Sequence, residues 1–479
     1  MSGCLFDEQF GYSENPESGF GWEDVEIGCR LYKAGARIRY LPQTFSIHVS
    51  HPSATDEATK PLRSLKNFRR LHEKYPDLVL LSRQWAIRTY QAILESVSAG
   101  GQLVIDNPDY AYLQGVFERQ NHAVSFKREY LLRVLTYRWH CPHQFELYRT
   151  GHEFTLVTGA GTALCDSWDW DKRPLPRNAR FMDREHVNPR EFDVAILHFD
   201  ENVLHPEKCK GLVPDDWGNT IRWFMETVRL PKIAICHGTP QFSGQYDAEY
   251  TQPDLGVVDE SSREELVHFL GDVLVVCNSH QAQQEWGFKN STVIWQGFSP
   301  HEYPERVKDR EILTLPYAAL HNRPHYNGLF IYNEILELLN GSMQIAPLDV
   351  PDPPKSYPLR SSEWAEAKFR NYAREIGRYS IYLNTTLRSP MPRTRGEAMM
   401  AGAITVSMRN HDVDQFIQNG VNGFFADSPE ELAEQLRFLK HNPAAMNKMS
   451  AASRLTAMDQ FNQDRYLSQW EKLLKELVG

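Results

Sequence analysis

Short apolar runs separated by polar, helix-capable stretches recur along most of this chain. Val134–Tyr137, Phe154–Thr158, Asp193–Leu197 (DVAIL), Ile233–Cys236 (IAIC) and Val273–Cys277 (VLVVC) form one series. Near-continuous apolar runs of this length mark strands covered on both faces, as in a parallel sheet. Glu311–Leu315 (EILTL), Ser380–Leu383 (SIYL), Ala403–Ser407 (AITVS) and a strand beginning at Phe424-Phe425 form a second series. Ser428-Pro429-Glu430-Glu431 opens a helix with a cap and an acidic first turn, and its apolar stripe is Leu432, Leu436 and Leu439. A last helix is expected over Asp464–Leu477. Strands alternating with helices predict two doubly wound α/β domains, with a hinge near Ser299–Arg306. Ligands in such sheets bind beyond the carboxyl ends of the strands.

The chemistry collects at those ends. Ser389–Gly402 reads SPMPRTRGEAMMAG, a polar Pro/Arg loop followed by a helix expected to open near Gly396-Glu397. A helix N-terminus there presents backbone N–H groups to an anion. Arg393 and Arg395, with Thr394 between them, add charge suited to phosphate, and Glu397 can accept from vicinal hydroxyls. Arg for phosphate and Glu for a ribose diol together suit a sugar nucleotide. Polar residues also follow the first series: His140 and His143, His198 and Asp200, His237-Gly238-Thr239, and Asn278-Ser279-His280. Gly238 is expected to let a substrate approach closely. His140 and His143 have a spacing that two metal ligands on a helix could use, but no third ligand is evident, so they are placed on the acceptor side and no metal is expected.

His411–Ala426 (HDVDQFIQNGVNGFFA) adds two Asn-Gly turns around a short apolar segment. With Ser389–Gly402 and the run Val275–Phe298, it resembles the GT-B glycosyltransferases, the retaining family 4 type in particular, from about Asn278 onward. The resemblance implies two Rossmann-like domains facing a cleft: residues 129–300 for the acceptor, 301–460 for the donor, and 461–479 as a helix that crosses back. In that family two Glu residues stand eight positions apart. Glu397 fills the second, which holds the ribose; Ser389 stands at the first, so the contact to the donor sugar departs from the pattern. The diphosphate grip falls on Arg323 and on Asn327, where Lys is usual, and Arg393 and Arg395 are expected to supply the missing charge. His237 matches a histidine that contacts the donor sugar and is the candidate nearest the reacting centre. Asp200 and Glu201 read as acceptor contacts or as plain loop charges. The implied activity is transfer from a nucleotide-sugar donor to a glycan or lipid-linked glycan, as in bacterial surface polysaccharide, metal-independent, with retention and without a cofactor. A sugar-nucleotide 2-epimerase and an inactive GT-B binding module are the alternatives.

The first residues carry a second resemblance. Gly19–Gly35 (GFGWEDVEIGCRLYKAG), after Leu5-Phe6-Asp7-Glu8, is similar to the C-terminal part of a GT-A glycosyltransferase. There the Glu-Asp pair, here Glu23 and Asp24, contacts the acceptor; the plain reading is a helix start. His48 or His51 would answer to a metal ligand of that family, but its metal-nucleotide half is not in the sequence. Residues 1–58 therefore read as the tail of a larger, bifunctional enzyme, and 59–128 as a helical linker. Lys60–Tyr75 is basic and amphipathic through Leu62, Leu65, Phe68 and Leu71, which suits peripheral membrane contact or packing on a neighbour. The net charge of −10 offers no basic field for nucleic acid. Seven widely spaced Cys without a Cys-x-x-Cys, no signal peptide and no membrane-length apolar run make a reduced, cytoplasmic protein the expectation.

Overall fold

The computed structural model describes residues 22–33, 60–74, 131–209, 211–242, 257–303 and 308–478, in two units that meet between Tyr130 and Leu131. The first unit shows the helices Glu23–Lys33 and Lys60–Lys74. They pack through Trp22, which stacks on Phe68 at 4.5 Å and donates to Ser64 at 2.8 Å. Buried Glu26 pairs with Arg30 and, at 2.8 Å, with Lys74. Phe68 and Leu71 of the basic helix's apolar face are buried. Glu23 and Asp24 open the first helix, but their side chains, His48 and His51 lie outside the described residues.

The second unit is built on two sheets. Strands β1 (Arg133–Thr136), β2 (Glu153–Thr158), β3 (Ala179–Asp183), β4 (Val194–Phe199), β5 (Lys232–Cys236), β6 (Leu274–Cys277) and β7 (Ser291–Val293) form the first. Its order is β3-β2-β1-β4-β5-β6-β7 and every pairing is parallel. Strand β4 is buried at all its positions, which is why it reads as an unbroken apolar run. Edge strand β3 (ARFMD) is half exposed and carries charge, so the apolar pattern does not reveal it.

Strands β8 (Arg310–Thr314), β9 (Ile345–Pro347), β10 (Tyr379–Asn384), β11 (Ile404–Met408) and β12 (Gly423–Ala426) form the second sheet, also parallel, in the order β12-β11-β10-β8-β9. Strand order reverses between β1 and β4 in the first sheet and between β8 and β10 in the second. Helices leave opposite faces at such switch points and open a crevice at the carboxyl ends.

The chain passes between the sheets twice. At the first passage the Phe298 N–H donates to the Phe461 carbonyl at 2.8 Å, so outgoing and returning segments are hydrogen-bonded. Gly297 makes this possible: a Cβ there would lie 2.3 Å from the Cβ of Tyr466. The returning helix Gln463–Val478 then buries Tyr466, Trp470 and Leu474 among Val134, Ile196 and Ile294 of the first sheet.

Candidate functional site

A cavity of about 480 Å³ opens between the two sheets. His140, Lys172 and Arg173 line it from the first sheet's side; Leu348, Phe369, Tyr372, Arg393, Thr394 and Glu397 line it from the second. The loop after β10 explains the last three. Pro390 and Pro392 cannot continue a strand, and Pro392 is the N-cap residue of the helix Arg393–Met400. The helix thus opens three residues before the Gly396 expected from the sequence, and Arg393 and Thr394 stand in its first turn. No side chain caps this N-terminus.

Glu397 lies one turn in and is 1 % exposed. It accepts hydrogen bonds from Tyr303 and from Arg393, each at 2.7 Å, and from Tyr372. Arg393 reaches the other way to Glu146 of the first sheet's side, at 3.0 Å. Glu146 also holds Arg173 and Arg149, each at 2.8 Å, and Arg173 pairs with Glu302 at 3.0 Å. Three arginines and three glutamates therefore alternate across the cleft. Arg173 is sandwiched between the rings of Phe145 (4.5 Å) and Phe369 (3.3 Å). Nη1 of Arg393 is buried and has no hydrogen-bond partner among the described residues.

Other expected donor residues are elsewhere. Arg395 does not face the cavity with Arg393. Two positions along a helix point to nearly opposite sides, and Arg395 is fully buried, donating to Asn410 at 2.6 Å and lying 4.9 Å from the centre of the Phe416 ring. Burial lowers its pKa to about 10. Asn327 spends its amide on the Ala319 carbonyl at 2.8 Å and so braces the turn before the helix Leu329–Leu339. Arg323 and Arg388 line a separate hollow of about 30 Å³ with Phe242, His325 and Tyr326. The Ser389 carbonyl accepts from Asn410 at 3.1 Å.

Four histidines gather at the carboxyl ends of β1, β4 and β5. His140 caps the helix Cys141–Tyr148 by accepting from the His143 N–H at 3.3 Å. The His237 ring lies 5.9 Å from that of His140 and 5.3 Å from that of His143. Behind it, His198 Nδ1 is 3.1 Å from His237 Nε2, so one hydrogen is shared between two neutral rings. Burial, and then the charge of neighbouring groups, depresses the pKa of His143, His198 and His237 well below the ordinary value. The packed cleft walls, and after them Arg393, Lys172 and Arg138, lower His140 to about 4. Among the described residues no three His, Cys, Asp or Glu side chains are placed to hold a metal.

Asp200 is fully engaged: it accepts from the Trp217 indole at 2.9 Å and from the Asn202 N–H at 2.9 Å. That bonding ties it to its own loop. Its neighbour Glu201 is 7 % exposed, and its Oε2 has no hydrogen-bond partner among the described residues. Burial, together with Asp200, raises the Glu201 pKa to about 7. Gly238 owes its lack of a side chain to Glu201, not to a substrate: a Cβ there would stand 1.8 Å from Glu201 Oε2.

A second set of contacts closes the far side of the cleft. Asp412 accepts from the His280 N–H at 2.7 Å, from the Gln281 N–H at 3.1 Å and from the Trp295 indole at 2.8 Å. His411 joins Ser279 at 2.9 Å to the Arg388 carbonyl at 3.1 Å. Sequence reasoning missed Glu146, Arg173, Glu302, Tyr303, Tyr372 and Asp412. Each acts through a partner far away in the chain, and no local spacing signals that.

Residues 353–472 match a family model described as glycosyl transferase-like. No curated protein is significantly similar to the chain. Among solved structures, sucrose-phosphate synthase from Thermosynechococcus elongatus superimposes with a TM-score of 0.50 at 12% identity, over 72% of this chain and 99% of that one. Anabaena Alr3699/HepE in complex with UDP and glucose gives 0.46 at 13% identity, over 72% and 100%. A glycosyltransferase from Rickettsia africae ESF-5 gives 0.46 at 14% identity, over 73% and 99%. The paired parallel sheets facing a cleft are the GT-B architecture, and the stretch that is similar to the glycosyl transferase-like model begins before β10 and runs into the returning helix.

Proposed function

We propose that this protein is a glycosyltransferase that takes a sugar from a nucleotide-sugar donor and places it on a glycan or glycolipid acceptor, with retention and without a metal ion. The donor would bind mainly on residues 301–460 and the acceptor mainly on 129–300. The observation that carries this reading is Arg393. It lines the cavity in the first turn of an uncapped helix, and its Nη1 lacks a partner. A phosphate oxygen satisfies both the guanidinium and the helix N–H groups. Glu397, one turn further on, would exchange a tyrosine hydroxyl for the ribose diol, while Arg323 would meet the phosphates from the smaller hollow. As the glycosidic bond breaks, negative charge grows on the diphosphate, and fixed cations lower the energy of that charge more than water does. Cleft closure through the Arg–Glu chain would keep water from competing with the acceptor.

The test is thermal stabilisation by UDP, GDP and dTDP, each with and without a chelator, followed by transfer assays with the matching sugar nucleotide. One diphosphate at about a hundred times its Kd should stabilise the protein by about 2.7 kcal/mol, equally with chelator present. No stabilisation by any of them, or stabilisation that requires Mg²⁺ or Mn²⁺, would overturn the reading. Tight binding without turnover on any acceptor would leave a binding module in its place.

A further inference from the structure

Glu201 is a buried carboxyl with one oxygen that no described residue satisfies. An unpaired buried acceptor is costly, so a group in this state is retained where a donor arrives. Three loops meet around it. It follows β4 at the first sheet's switch point; its Oε2 lies against Gly238, beside His237; and the cations acting on it are Arg323 and Arg388. Both arginines line the smaller hollow with Tyr326. The loops are stitched together: Arg388 donates to the Pro240 carbonyl at 2.9 Å, and Gln241 donates to the Glu201 carbonyl at 3.1 Å. Both oxygens of Asp200 next door accept hydrogen bonds: the Trp217 indole donates to each, and the Asn202 N–H donates to Oδ1.

We propose that Glu201 is a specificity-determining residue that accepts a hydrogen bond from a hydroxyl of the transferred sugar. A carboxylate oxygen calls for an O–H or N–H donor. A sugar joined to a diphosphate carries negative charge at one end and O–H donors at the other. Arg323 and Arg388 suit the first end, and Glu201 Oε2 suits the second. In the closed cleft the adjoining hollow, about 30 Å³, is far smaller than a sugar ring, so the ring enters as the loops after β4, β5 and β10 part. The assignment rests on the nucleotide-sugar reading, and it adds the side chain that distinguishes the sugar conjugate from the bare diphosphate.

Calorimetric titration of the full chain with UDP and UDP-glucose, and with GDP and GDP-mannose, tests it. Glu201→Gln keeps the shape and replaces the accepting oxygen's charge. It should leave diphosphate affinity within twofold and weaken the sugar conjugate by roughly five- to tenfold, because the amide oxygen still accepts but without the charge. Gly238→Ala displaces the carboxylate by the clash at 1.8 Å and should give the same selective loss. Equal affinities in Glu201→Gln and the parent for the conjugate, or equal losses for conjugate and diphosphate, would overturn the assignment. If the parent chain binds no diphosphate at all, the nucleotide-sugar reading fails first and takes this assignment with it.

Discussion

Glu397 shows how the place of one side chain can be legible in a sequence while its surroundings are not. Its position after a Pro/Arg loop is a local pattern, and so was visible in the sequence. Its partners Tyr303 and Tyr372 come from a crossing segment and from the helix Ser362–Ile376 before β10, and no spacing announces them. The same distinction explains Arg395 and Asn327. Residue type and neighbourhood marked both for phosphate, while helix phase turned one inward and a nearby carbonyl claimed the other. Glu397→Ala would leave the Arg393 guanidinium and two tyrosine hydroxyls without their acceptor in a buried place. Breaking one partner of a buried pair costs about 3–5 kcal/mol, so this variant should lose that much stability even without ligand. Urea denaturation checks it; an unchanged midpoint would mean that the Arg–Glu chain across the cleft does not form in solution.

At the scale of elements, the buried strands were the most legible, because covered strands must be apolar along their whole length. The half-exposed edge strand β3 was hidden for the converse reason. Helix starts were legible where a Ser, Asp or Pro announces them. The helix His280–Trp286 shows what such reading leaves out. Ser279 caps it locally, accepting from Ala282 at 3.1 Å, yet its first two N–H groups are met by Asp412 from the other sheet. A carboxylate at this position satisfies orphan donors and opposes the positive helix end. Asp412→Ala should therefore destabilise the protein by about 1–2 kcal/mol, and Asp412→Asn by less, because an amide oxygen still accepts. Equal melting temperatures for Asp412→Ala and the parent would rule out the cross-sheet cap.

For the whole molecule, the two-sheet plan followed from alternation along the chain, whereas the closeness of the sheets rests on pairings that sequence distance conceals. Several of those pairings depend on neutral histidines. Burial, and after it Arg388, lowers His411 to about 3, and His143, His198 and His237 are also held well below their ordinary value. These rings stay neutral in the fold, while in the unfolded chain they take up protons below about 6.5. The unfolded state then binds more protons, so their contribution is complete above that value and is lost as pH falls. Glu201, raised to about 7, acts in the opposite sense between about 4.5 and that value. Four imidazoles outweigh it, and stability should drop by more than about 1.4 kcal/mol from pH 6.5 to 5.5. Urea titrations at those two pH values decide; equal or higher stability at pH 5.5 would contradict the neutral cluster.

The returning helix Gln463–Val478 bears on how the chain is made. Tyr466, Trp470 and Leu474 belong to the core of the first sheet, whose last strand ends at Val293. A ribosome delivers every strand of that sheet long before it delivers the helix that seals it. Until then the sheet shows an apolar face and must wait, beside a second sheet free to fold on its own local contacts. Closing a link of such sequence separation is slow. The final step of folding is thus a docking event that completes the earliest part of the unit with the latest, and a chain released short of this helix carries a visible apolar scar for a chaperone or protease to find.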